Sequence, residues 1–181
     1  MGRPGENNYS SSTDNVLTIN NGNISVNSTG DGIDVNGSAY ITGGNVIVYG
    51  PTNSGNGSLD YDRTFEVNGG TLIAGGSSGM LQGCSSSSSI YNLIITFNTN
   101  YDSNDIITIV DSSNNEIISY NSDKSYSSLI VASPKLKKGQ EYTIKVNNEK
   151  YETFTISGIT TTIGNYNEMG GRPMGPSGHR R

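Results

Sequence analysis

Among 181 residues there is no tryptophan, one histidine, one cysteine and only five prolines. A single cysteine, Cys84, excludes an internal disulfide. A single histidine, His179, sits in a Gly/Pro/Arg-rich stretch near the end, so no histidine-based triad can be assembled. Without tryptophan, any aromatic platform for a sugar face falls to tyrosine. Bases are scarce at the front: the first ninety residues hold only Arg3 and Arg63, and all six lysines lie between positions 124 and 150. With a net charge of −5 this argues against a non-specific nucleic-acid binder. An acidic, polar front half suits a hard cation better than a phosphate backbone. No apolar run approaches membrane-spanning length. The start, "MGRPGENNYSSSTD", has no basic segment followed by an apolar one. Together with the Gly/Ser/Asn/Thr style, that predicts an extracellular or cell-surface protein whose leader is missing from this sequence.

Apolar residues make up 31% of the chain, but they are patterned. Three segments align: "LTINNGNISV" from Leu17, "AYITGGNVIV" from Ala39 and "FEVNGGTLIA" from Phe65. Each has apolar residues at its first, third, eighth and tenth positions and glycine at its sixth. Their starts are 22 and 26 residues apart. Each reads as a short strand, a glycine turn and a second short strand. Strands this short bury no core alone, but stacked about 4.8 Å apart they do. The expectation is an all-β chain: a short right-handed parallel β-helix over 14–90, then an antiparallel β capping module over 91–164. Flexible segments are expected at 1–13 and 165–181. The glycines at 22, 44 and 70 would occupy corners with φ > 0. A β-sandwich built from hairpins is the alternative, since "NG" and "GG" also make hairpin turns.

Carried backwards, the same register pairs Asp34 with Asp60, Ile33 with Leu59, Val35 with Tyr61 and Asn36 with Asp62. Alternation turns the aliphatics and Tyr61 inward, and Asp34, Asn36, Asp60 and Asp62 outward. On the next layer Met80 would fall beneath Leu59, and Leu81 where Asp60 was. Stacked carboxylates repel, and crowding them raises a pKa or recruits a cation. Aspartate and asparagine oxygens are the hard ligands Ca²⁺ takes at about 2.3–2.6 Å. The candidate metal ligands are Asp31, Asp34, Asp60, Asp62, Asn36 and Asn56, with Asn53 nearby. The competing reading is a solvated acidic ridge partly neutralised by Arg63.

Residues 30–82, above all "GDGID", "GPTNSGNGSLDYD" and "GGTLIAGGSSGM", resemble a family of secreted bacterial carbohydrate-binding proteins, as does "IVASPKLKKGQEYTI" further on. That resemblance implies a pectate-lyase-like right-handed parallel β-helix. It implies binding of plant cell-wall polysaccharide, both acidic pectin-type chains (polygalacturonate) and cellulose, without catalysis. It also implies bound Ca²⁺, with Asp31, Asp34, Asp60 and Asp62 as the matching acidic positions. Members of the family carry several more N-terminal coils; here about three are present, which leaves an edge open to self-association.

After the serine run at 85–89 the pattern changes. Apolar runs at 93–97, 106–110, 117–120, 129–132, 142–146 and 154–156 are separated by polar turns such as "DSSNNE" and "NNEK", which predicts hairpins. The lysines at 135, 137 and 138 read as a solvated turn. For a sugar ligand the candidate contacts are Arg63, Tyr40 and Tyr49, the tyrosines falling on outward positions. A polysaccharide lyase would need a base beside the metal, and before residue 90 only Arg63 qualifies. A structural or self-assembling surface protein is the other alternative.

Overall fold

The computed structural model describes residues 15–166. Every regular element among them is a β-strand. The front half holds β1 (Val16–Ile19), β2 (Asn23–Asn27), β3 (Ile33–Val35), β4 (Ser38–Tyr49), β5 (Leu59–Tyr61) and β6 (Thr64–Gly76). All pairing within it is parallel. Leu17 stands opposite Ala39, and Ala39 opposite Phe65. Beyond the turn, Ile24 stands opposite Val46, and Val46 opposite Leu72. A second, two-stranded sheet pairs Ile33 with Leu59 and Asp34 with Asp60.

Three stacked repeats therefore take the register that their aliphatic alternation dictates. A shift of one residue would send Ala39, Ile41, Phe65 and Val67 to the outer face and leave their polar neighbours in the core. These four are 1% exposed or less. With Ile33, Val35 and Leu59 from the short strands they form the first core. Burying one such large side chain contributes roughly 2–3 kcal/mol. The shared corner is built by Gly22, Gly44 and Gly70 at φ values of 103, 87 and 75°. A Cβ on Gly70 would also collide with the backbone of Gly43 and Gly44 in the repeat beneath. Asparagine continues the stack on the outer face, where Asn45 Nδ2 donates to Asn23 Oδ1 at 3.0 Å.

The third layer departs from expectation. Leu81, not Met80, fills the position inside: Leu81 is 3% exposed and Met80 41%. Residues 81–85 form no strand, so nothing holds them to two-residue alternation. Side chains stand in for the missing strand. The Tyr61 amide donates to Gln82 Oε1 at 3.0 Å. The Phe65 amide donates to Ser85 Oγ at 2.8 Å, and the Val67 amide to Ser88 Oγ at 3.1 Å. The carbonyls of Phe65 and Val67 accept the amides of Ser85 and Ile90. The serine run is thus the cap on the first half of β6. Buried strand amides without acceptors are costly, and hydroxyls satisfy them here.

The back half holds β7 (Asn92–Tyr101), β8 (Ile107–Asp111), β9 (Glu116–Tyr120), β10 (Tyr126–Ala132), β11 (Glu141–Val146), β12 (Glu149–Thr155) and β13 (Thr160–Ile163). It is neither separate from the front half nor wholly antiparallel. Antiparallel β10 pairs with the second half of β6, placing Ile130 opposite Ala74, and β7 follows beyond it. The last strand, β13, pairs with β7 in parallel. The main sheet therefore runs β1-β4-β6-β10-β7-β13 without a break at residue 90. An antiparallel sheet, β12-β11-β8-β9, accompanies it. The second core joins Leu93, Ile95, Leu129 and Val131 of the main sheet to Ile107, Ile109, Ile144 and Tyr142 of that sheet. The β8–β9 and β11–β12 turns carry Asn114, Asn147 and Asn148 at positive φ, where asparagine is tolerated.

The segments expected to be flexible lie almost wholly outside the described residues, as does His179. Tyr166, placed in the expected tail, packs against the first core.

Candidate functional site

The two-stranded β3–β5 sheet presents its outward side chains as a ledge. Asp34 and Asp60 are direct register partners on it. Asp34, Asn36 and Asp62 are exposed, and Asp60 is half-buried. The Asp62 amide donates to Val35 O at 3.3 Å and the Arg63 amide to Gly37 O at 3.0 Å, which fixes the turn over the repeat below. Asp31 belongs to the loop before β3. Its Oδ1 accepts the Gly57 amide at 2.7 Å, tying the acidic loops of two repeats together. Asn56 Nδ2 donates to Asn53 Oδ1 at 2.9 Å, and Asn53 Nδ2 donates to Thr29 O at 3.2 Å.

Partial burial raises the Asp60 carboxyl above its ordinary value, and the charges of Asp31, Asp34 and Asp62 add to that, against the Tyr61 amide, which lowers it. The oxygen donor set fits a hard cation. Yet among the described residues no three Asp, Glu, His or Cys side chains gather closely enough to hold a metal ion. The ledge is an open row of acidic side chains on the outer face of β3 and β5.

The expected sugar-contact tyrosines are not part of this ledge. Tyr40 stands half-buried on the main sheet, opposite Thr18 and Glu66. Tyr49 does point outward from its own strand, but the back half covers it. Its ring stacks on Tyr120 with centroids 5.7 Å apart. One face of that ring is therefore committed to the second core.

Arg63 and Asp62 instead stand at a groove of about 640 Å³ that continues from the ledge. Its other walls include Tyr61, Gln82, the serines at 85–87 and Tyr166, with Ile94, Thr160 and Thr162 also lining it. Tyr61 is fixed by a 2.7 Å hydrogen bond from its hydroxyl to Gly83 O and by its packing on Phe65. Gln82 and the serines come from one stretch of chain, 82–87, and the threonines of β13 and Tyr166 from another, 160–166. Nothing in their local sequence marks them as one site, so sequence reasoning passed over them. Cys84 also lines the groove but is 6% exposed, and burial pushes its thiol up to about 12. At neutral pH it is an un-ionised core residue and not a nucleophile.

Lys135, Lys137 and Lys138 are exposed on the 133–140 turn. Among the described residues, no helix is long and apolar enough to cross a membrane. Compared with protein-family models, curated proteins and solved structures, the chain matches none.

Proposed function

We propose that the protein is a non-catalytic, extracellular or cell-surface binder of plant cell-wall polysaccharide, with acidic chains of the polygalacturonate type as its ligand. On this reading the three stacked repeats are coils of a short right-handed parallel β-helix. The observation that carries the proposal is the pairing of Asp34 with Asp60 on neighbouring strands, with Asp31 and Asp62 within electrostatic reach. A row of carboxylates repels a polyuronate unless a divalent cation lies between them. Ca²⁺ shared between Asp34, Asp60 and Asp62 on one side and uronate carboxylates on the other supplies that bridge, with the polymer contributing oxygen ligands of its own. Arg63, Tyr61 and the hydroxyl-lined groove beside the ledge offer hydrogen bonds and ring surface to the same chain, or to a neutral glucan such as cellulose.

Retardation in gels containing polygalacturonate tests this. With Ca²⁺ present the protein should be retarded, and a chelator or the double change Asp34→Asn/Asp60→Asn should abolish the retardation while the fold is kept. Retardation indifferent to both would overturn the reading. Growth of ultraviolet absorbance from unsaturated uronate would make it a lyase.

One observation favours a second reading, a self-assembling surface protein. Among the described residues β1 and β2 pair with β4 alone, and Val16 of β1 is 59% exposed. Concentration-dependent association of the chain without any glycan would support it.

A further inference from the structure

The stretch from the end of β9 to the start of β10, residues 120–128, reaches across all three repeats. On the third repeat, Ser128 Oγ donates to Gly76 O at 3.1 Å and to Ser77 O at 3.0 Å, and Ser127 Oγ accepts the Ser78 amide at 3.1 Å. On the second, the Tyr120 hydroxyl donates to Val48 O at 3.3 Å. Lys124 links the second repeat to the first: its Nζ donates to Tyr49 O at 2.8 Å and to Ser28 O. Tyr49 O also accepts the Ser28 amide at 3.0 Å. One ammonium thus closes a small triangle of backbone groups at the ends of β2 and β4.

Ser28 is where the chain leaves β2 and enters the loop that bears Asp31. That loop is stitched onward by Ser28 Oγ to Gly30 O, by Asn53 to Thr29 O, and by Asp31 to the Gly57 amide. The amides of Gly32 and Ile33 then donate to Gly57 O and Ser58 O. These bonds join residues of the same or neighbouring repeats, at most 26 positions apart, whereas at the loop entrance Lys124 arrives from 96 residues away. Hydrogen bonds from a charged donor are the stronger kind. Burial also pulls the Lys124 ammonium below the ordinary lysine value, with Asp123 opposing, consistent with a group drawn out of water.

We propose that Lys124 is a positioning residue for the acidic ledge: its ammonium latches the entrance of the Asp31 loop, so that the back half of the chain sets the spacing of the carboxylates on the front half. The consequence for ligand binding rests on the function proposed above, whereas the latch does not.

Native-state amide hydrogen exchange on the free protein tests the latch without any ligand. In Lys124→Met, which keeps the length of the stem and loses the charge and donors, exchange at Gly32, Ile33 and Gly57 should quicken roughly tenfold, the equivalent of one lost charged hydrogen bond. Amides of the β11–β12 pair, such as Tyr142 and Phe154, should keep their rates. Lys124→Arg should retain most of the protection. Ile118→Val in the second core serves as control, lowering global stability without singling out the loop. A Lys124→Met protein whose loop amides exchange within about twofold of the parent, or whose exchange quickens evenly across all strands, overturns the latch.

Discussion

The two halves of the main sheet bury their strands differently. In the front half, β4 alternates between buried and half-buried residues on either side of its glycine corner. In the back half, six consecutive residues of β7 are buried, as are the last five of β10. The chemistry follows. Front strands read Ala-Tyr-Ile-Thr or Phe-Glu-Val-Asn, while the back strands read Leu-Ile-Ile-Thr-Phe and Leu-Ile-Val-Ala. A strand with one wet face needs only alternate aliphatics. A strand between two cores needs them throughout. Ile94 and Ile130 face the first core, and Leu93, Ile95, Leu129 and Val131 the second. The second half of β6 belongs to this doubly buried class too, since Leu72 and Ala74 face one core and Ile73 the other. The difference teaches that the stacked repeats and the sandwich are not two units side by side. They share β6 and β10 as a common wall.

The severest test of that wall is Tyr120. It stacks on Tyr49, meets Tyr126 edge-on at 5.1 Å, and sets its hydroxyl against Gly75, where any Cβ would collide with it. Tyr120→Ala should cost about 3–5 kcal/mol, the usual toll of emptying a large aromatic site. In urea the parent should unfold in one transition, and so should this variant at a lower midpoint. Two separated transitions in the parent would mean that the halves are independent after all.

The serine cap should matter less, and only where it closes an amide. Ser88 is 4% exposed and accepts the Val67 amide, so Ser88→Ala strands a buried donor at a cost of about 1–3 kcal/mol. Ser86 is exposed. Ser86→Ala should change stability by less than about 0.5 kcal/mol. Equal losses from the two would show that the run acts through composition and not through these bonds. Urea midpoints of the two variants decide it.

Much of the front half was legible because a repeat constrains itself. Leu17, Ala39 and Phe65 could be aligned from spacing alone, and that alignment carried Asp34 onto Asp60 with no further information. It failed at Met80 and Leu81, where the strand ends and alternation stops being enforced. Tyr49 shows a different limit. Alternation tells which way a side chain leaves its own strand, but not that Tyr120 will arrive to cover it. Likewise the serines at 85–89 looked like a border. Their role depends on which strand edge lies open beside them, a property of the assembled sheet and not of the run. The groove beside Asp62 was illegible for the same reason, since its walls meet only after β13 has come to rest on β7.

The smallest expected effect contrasts one aspartate from each half. Burial and three neighbouring carboxylates raise Asp60, whereas hydrogen bonds from Asn115 and Ser113 lower Asp111. Their linkage signs are therefore opposite. For Asp60 the unfolded chain loses its proton first as pH rises, the native state then holds the extra proton, and stability falls through the carboxylate range. For Asp111 the native state loses its proton first, so stability is gained as pH rises through that range and is lost again in acid. Asp60→Asn should accordingly raise the Tm at pH 7 by roughly 2 °C, with the gain vanishing below the ordinary aspartate value of 3.8. Asp111→Asn should lower the Tm at pH 7, and that loss should also vanish in acid. Calorimetry of both variants at the two pH values is sufficient. If Asp60→Asn proves less stable than the parent at pH 7 with a chelator present, the carboxylates do not repel one another, and the ledge loses its claim to a bridging cation.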